Sequence, residues 1–200
     1  MNRALLVHGL FRSPVSMMPL AGLLRKLGYC PVSFAYSSTF ESWERIVSRL
    51  TEKVRQERPR IAIGHSLGGI LLRLAIERSG HHVDHLIMLG TPNHSPRIAR
   101  ALAKLMPYHW LTGESGQFLA DPAAYERLPA LNVPYTVIAG TIGHRWRFGN
   151  EPNDGAVSLS EAAVDPDHPP VTVRSLHSFL MLSPEVKERI SQTLAPAKAA

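Results

Sequence analysis

Residues 61–70 read I-A-I-G-H-S-L-G-G-I, a serine with a glycine two positions away on either side, set between two apolar runs. The run before the serine is short, as a buried strand is. The run after it, to about residue 78, is apolar on all sides, as a helix packed against the middle of a sheet is. A serine on so tight a strand-to-helix turn takes sterically costly dihedrals, and its flanks must lack bulk for strand and helix to close together. Gly64 and Gly68 supply that clearance, and Gly69 extends it. Such a turn projects the Ser66 hydroxyl beyond the strand end, near the partial positive charge of a helix N-terminus, and aims the Leu67 N–H at the same space. These are the attributes of a nucleophile. Five residues recur by chance, however, and the rest of the chain has to decide between a nucleophile and an incidental serine.

Outward from this turn, short apolar runs at 4–7, 32–36, 61–63, 86–89, 135–139 and 171–173 alternate with helical spacing. The helical stretches are 15–27, 42–58, 67–78, 98–105, part of 116–127, and 185–194. In 42–58, Trp43, Ile46, Val47, Leu50 and Val54 share one face, with Pro59 just beyond. Alternation of this kind implies right-handed crossovers and a mostly parallel sheet of about six strands with helices on both faces. Strands in such sheets are buried on both sides, which suits continuous apolar runs. Residues 106–113 and 143–155 read as irregular insertions. With 200 residues, no repeat and no linker, a single domain over 1–195 is expected, followed by a flexible tail at 196–200. Ligands of open parallel sheets bind at the carboxyl ends of the strands, where Ser66 falls.

Hydrophobic content of 44% and charged content of 19% belong to a folded globular chain rather than a disordered one. A single cysteine, Cys30, excludes an internal disulfide and a cysteine-rich metal site, and is expected to be a small core residue. The N-terminus lacks the pattern of a secretory signal, and no run approaches the ~18 apolar residues of a membrane span. A cytoplasmic location without membrane insertion is therefore expected. The formal charge is +6. Arg45, Arg49, Lys53, Arg55 and Arg58 lie along one helical stretch, and Arg97, Arg100 and Lys104 along another, as the wet faces of amphipathic helices. No nucleic-acid module accompanies them. The charge is better suited to drawing in anionic substrates or lipid surfaces.

Six segments together give the chain a family likeness: L-L-V-H-G-L-F at 5–11, I-G-H-S-L-G-G at 63–69, I-M-L-G-T-P-N-H-S-P at 87–96, V-I-A-G-T at 137–141, N-D-G-A-V-S-L-S at 153–160 and L-H-S-F-L at 176–180. In this order they resemble a small lipase/esterase of the α/β-hydrolase superfamily, across nearly the whole chain. The resemblance implies a three-layer α/β-hydrolase fold. Because the first strand already carries the H-G element, it implies the compact form without two leading antiparallel strands.

An alkoxide does not form unaided near neutral pH; a base must take the proton, and imidazole suits that task. Among ten histidines, His8 and His65 belong to the motifs around the serine and read as structural. His81, His82 and His85 read as solvated turn residues, and a metal site there with Asp84 is not expected. His94, His109, His144 and His168 lie before the last strand or in polar loops. His177 alone follows the final strand and precedes a helix, and the family's chain order Ser…Asp/Glu…His puts the base there. The same order, with the family's D-G-x-V context, makes Asp154 the carboxylate that orients the imidazole, in preference to Glu151, Asp165 or Asp167. The oxyanion donors implied are the backbone N–H groups of Leu67 and of Leu10, with Phe11 the alternative to Leu10. No cofactor or metal is called for.

The expected activity is cleavage of a small-molecule acyl ester or lipid through an acyl-enzyme on Ser66. The alternatives are a thioesterase or acyltransferase using the same residues, or a non-catalytic binding module. Phe11, Met17, Met18, Leu111, Phe118 and Phe148 are candidates for an acyl pocket, though each is also an ordinary core residue. Residues 106–130 read as a small lid or as a plain excursion over the sheet, with Tyr108, Trp110 and Phe118 as the lid's apolar face. Arg145 and Arg147, beside the acid loop, read as cations for an anionic head group or a CoA phosphate.

Overall fold

The computed structural model describes residues 2–195, so the tail expected at 196–200 lies outside the described residues. Six strands form one sheet: β1 (Arg3–Val7), β2 (Cys30–Phe34), β3 (Ile61–His65), β4 (His85–Leu89), β5 (Tyr135–Gly140) and β6 (Val171–Val173). Their spatial order is β2-β1-β3-β4-β5-β6, and every pairing is parallel. The expected mostly parallel sheet is thus wholly parallel, and all six carboxyl ends point to one edge.

Side chains alternate across each strand, and both faces find partners. Leu5, Val7, Ala62, Leu86 and Met88 face a core shared with α2 (Trp43–Glu57) and α3 (Leu67–Ser79). Ala4, Leu6, Ile61, Ile63, Ile87 and Leu89 face the opposite core, with α1 (Met18–Lys26) and α8 (Pro184–Thr193). This double burial is why the strands carry unbroken apolar runs. Helix α3 is the most deeply enclosed; Leu67 through Arg73 are all buried. On the wet face of α2 the cations meet acids: Arg49 pairs with Glu41 and Lys53 with Glu57.

Three features depart from the sequence reading. Residues 106–113 are helical rather than irregular: they begin α5 (Met106–Ala120), which follows α4 (Arg97–Leu102) and precedes α6 (Pro122–Glu126). Proline and glycine in a helix interior are breakers. Pro107 occupies the first turn, where its missing N–H costs nothing, and Gly113, at φ 58° and ψ −157°, is non-helical and divides α5 at a kink into two helical stretches. Cys30 is exposed rather than in the core, because it opens the edge strand β2. A short α7 (Leu159–Ala162) follows the insertion at 143–155, held by a capping box between Ser158 and Glu161.

Candidate active site

The turn after β3 has the strain its sequence implied. Ser66 adopts φ 52°, ψ −123°, a region L-residues rarely occupy, and its N–H is anchored on the Leu89 carbonyl at 2.8 Å. A side-chain carbon on Gly64 would meet the backbone of Gly68 and Gly69, and one on Gly68 would meet the carbonyls of Val7 and His8. Glycine is therefore a requirement at both flanks. Leu67 is the first residue of α3, so helix geometry leaves its N–H without an intrahelical acceptor.

On the neighbouring loops, Asp154 and His177 meet. Asp154 is almost wholly buried (2% exposed). Its Oδ1 accepts the N–H groups of Ala156 (2.9 Å) and Val157 (2.8 Å), and its Oδ2 lies 2.7 Å from His177 Nδ1. The backbones are tied as well, with His177 N–H donating to the Asp154 carbonyl at 2.8 Å. Because a carboxylate accepts, Nδ1 is the donor of this pair, and in the neutral imidazole Nε2 then carries the lone pair. Gly90, at φ 54° beyond β4, makes room for the pair: a side-chain carbon there would sit 3.0 Å from both Asp154 Oδ2 and His177 Nδ1.

The two histidines of the strand-end motifs are bound structurally. His65 is fully buried and donates from Nε2 to the His177 carbonyl at 3.0 Å. Burial, with His177 and Arg12 nearby, holds its pKa well below the ordinary imidazole value. His8 stacks on Tyr36 at 4.3 Å, and the Tyr36 hydroxyl donates to the His8 carbonyl at 2.8 Å.

The other candidate acids are occupied elsewhere. Asp165 accepts from the Tyr135 hydroxyl (2.5 Å) and contacts His168 Nδ1 (3.0 Å), while Glu151 bonds Arg97 and Ser160. His81 contacts the Pro59 carbonyl, His85 contacts Thr136, and Asp84 pairs with Arg60. No cluster that could hold a metal ion occurs among the described residues.

Ser66 and His177 line one cavity of about 1130 Å³, although no hydrogen bond joins Ser66 Oγ to His177 among the described residues. The floor is Leu10, Ser66 and His177 at the carboxyl edge of the sheet; the facing wall comes from α4 and α5, including Ile98, Leu102, Tyr108 and Leu111. The wall is pinned to the loop before α2, where Thr39 donates to the Leu111 carbonyl (2.8 Å) and Trp43 N–H donates to Glu114 (2.7 Å). Of the two N–H groups after the H-G element, Phe11's donates to Ser38 Oγ at 3.2 Å. That of Leu10 has no acceptor among the described residues.

Of the six residues read as acyl-pocket candidates, the cavity takes Phe11 and Leu111. Met17 is in the core, Phe118 stacks on Trp43 at 4.1 Å, Phe148 is buried beside His144, and Met18 is exposed outside the cavity. Of the expected lid face, Tyr108 is buried against the cavity and Trp110 is 86% exposed. Arg145 and Arg147 do not reach the cavity; Arg147 stacks on Trp146 at 4.3 Å. The cation that does line it is Arg12, which the sequence reading did not single out. Its place two residues beyond Leu10, at the end of the H-G-L-F stretch, was the available signal.

A sequence profile of the alpha/beta hydrolase family matches residues 4–196. No curated protein matches by sequence. Among solved structures, the chain is similar to a Bacillus licheniformis lipase crystallised in its propeptide form (TM-score 0.69, 20% identity), covering 100% of this chain and 52% of that one. It spans about half the length of that lipase. It is also similar to an esterase from Exiguobacterium antarcticum (TM-score 0.69, 13% identity, 97% of this chain and 92% of that chain). A third likeness is to the type II thioesterase of the borrelidin biosynthetic cluster (TM-score 0.65, 17% identity, 96% and 90%). At these identities the likenesses establish the fold.

Proposed function

The chain belongs to the alpha/beta hydrolase family, and on that premise we propose that it hydrolyses carboxylic esters by two-step acyl transfer through Ser66. One observation carries the reading: His177 is hydrogen-bonded through Nδ1 to the buried Asp154 and shares a cavity with a serine held on a strained turn. An imidazole in that tautomer has only Nε2 with which to take a proton, and Ser66 is the strand-end hydroxyl that shares its cavity.

In the proposed reaction Ser66 Oγ attacks the ester carbonyl as its proton passes to His177 Nε2. Charge accumulates on the carbonyl oxygen, and the N–H groups of Leu67 and Leu10 receive it; each such donor is typically worth roughly 10²–10³ in rate. Collapse breaks the bond to the alcohol, which leaves with the proton from His177. Water then attacks the acyl-enzyme, again giving its proton to His177, and the acid departs as Ser66 recovers its hydrogen. Asp154 stabilises the imidazolium formed in each half. The wall formed by α4 and α5 would hold the acyl chain, and the cavity of about 1130 Å³ is larger than acetyl groups need.

The test is a panel of 4-nitrophenyl esters from acetate to palmitate, with octanoyl-CoA as a thioester arm. The reading predicts turnover of oxygen esters with kcat/KM rising beyond acetate and abolished in Ser66→Ala. Turnover of the thioester alone would move the activity to thioester hydrolysis. Folded protein inert on every arm would remove the reading.

A further inference from the structure

The residues lining the cavity are apolar or uncharged apart from the two histidines and Arg12. Elsewhere some arginines meet acids, as Arg3 does Glu57, Arg60 Asp84, Arg78 Glu44 and Arg97 Glu151. Others, such as Arg25, Arg58 and Arg189, have no carboxylate within ion-pair distance among the described residues, but none of these lines the cavity. Arg12 has no carboxylate within ion-pair distance among the described residues. One of its five N–H donors reaches the Ser178 carbonyl at 3.3 Å, leaving the others for a guest. Phe11, Val15 and Leu105 line the same cavity, so Arg12 is a single cation on an otherwise largely apolar surface.

Its position gives that charge a direction. Ser178 follows His177, the group that returns the proton to the departing oxygen, and Arg12 is two residues beyond Leu10. The guanidinium is thus tied to the residue that follows His177, on the His177 side of the shared cavity. We infer that Arg12 forms an anion subsite for the leaving group. The substrates are then esters or thioesters whose apolar acyl chain fills the cavity and whose alcohol or thiol half carries a phosphate, sulfonate or carboxylate. This rests on the proposed acyl transfer at Ser66. It also gives the excess of positive charge in the chain a local use.

The experiment compares two octanoate esters of nearly matched leaving-group acidity, one of 4-hydroxybenzenesulfonate and one of the uncharged 4-hydroxybenzenesulfonamide. A third substrate carries its anion at the far end of the acyl chain, the 4-sulfamoylphenyl monoester of octanedioic acid. The wild-type protein should favour the sulfonate over the sulfonamide by roughly 10- to 100-fold in kcat/KM, the range of one hydrogen bond to a charged group. It should show no such preference for the far-end carboxylate. Arg12→Gln should bring the sulfonate-to-sulfonamide ratio toward one, Arg12→Lys should restore part of it, and added salt should shrink it in the wild type. Octanoyl-CoA and 1-octanoyl lysophosphatidate separate a thiol from a glycerol source of the anion; turnover of either that falls in Arg12→Gln supports the subsite. A wild-type ratio near one, or a ratio that survives Arg12→Gln, overturns the subsite while leaving ester hydrolysis standing. Failure to hydrolyse the neutral ester together with no acylation of Ser66 overturns both.

Discussion

Replacing Asp154 by Asn changes one atom in the buried pair and tests what that atom does. Oδ1 accepts two backbone N–H groups, from Ala156 at 2.9 Å and Val157 at 2.8 Å. In the variant that site must still be filled by the amide oxygen, since the amide nitrogen would set donor against donor. The nitrogen is thereby forced to the Oδ2 position, 2.7 Å from His177 Nδ1. It donates there, so Nδ1 must give up its proton and Nε2 must carry one. The imidazole is then in the wrong tautomer to accept the hydroxyl proton of Ser66, and no carboxylate stabilises the imidazolium. The corresponding substitution in serine proteases costs about 10⁴ in kcat, or about 5.4 kcal/mol at about 1.36 kcal/mol per tenfold. Pre-steady-state acylation by a 4-nitrophenyl ester should fall by two to four orders of magnitude, with circular dichroism unchanged because both backbone hydrogen bonds survive. Asp165→Asn and Glu151→Gln, whose carboxylates are engaged by Tyr135 and Arg97, should acylate within a few-fold of wild type. A folded Asp154→Asn protein that acylates within tenfold of wild type would refute the reasoning.

The strain at Ser66 predicts a trade between activity and stability. Ser66→Gly removes the hydroxyl and relieves a backbone conformation costing of order 1–3 kcal/mol. Its melting temperature should rise by about 2–4 °C per kcal/mol released while acylation disappears, and a fall in melting temperature would contradict the strain argument. Acid should act in two stages. Burial foremost keeps His65 neutral far below the ordinary imidazole value, so protons bind the unfolded chain first and stability is lost as pH falls below about 6.5. At lower pH, Glu151, which burial would raise but which bonds from Ser160 and Arg97 hold at about 2, contributes stability present above its ordinary value of 4.5 and lost as pH falls toward 2. Urea midpoints from pH 8 to 3 measure both stages. A profile flat from pH 7 to 5 contradicts the first, and an unaltered acid limb in Glu151→Gln contradicts the second.

The sheet was legible because each strand is buried on both faces and so spells an unbroken apolar run, which a half-wet antiparallel strand does not. The serine turn was legible because steric clearance imposes glycine at fixed distances on either side. The pairing of His177 with Asp154 could be expected only from the order of motifs along the chain, since nothing local to L-H-S-F or N-D-G-A announces that the two side chains meet. The helical stretch from 106 was missed because proline breaks a helix interior but not its first turn, where Pro107 stands. The S-L-S-E run at 158–161 is a capping box whose signal was available and unused. Cys30 was misplaced because edge and central strands of a parallel sheet differ only in what lies beside them, which strand order decides. Arg12 carried a signal in its place two residues beyond Leu10, but that no acid pairs with it depends on which acids the fold keeps away from it.

The most direct measurement is intact-mass analysis of the folded protein after treatment with a long-chain fluorophosphonate, with the adduct located by peptide mapping. The account predicts one adduct per chain, on Ser66, formed rapidly in the wild type and at least a hundredfold more slowly in His177→Ala. No adduct on Ser66, or labelling whose rate is indifferent to His177, would contradict it.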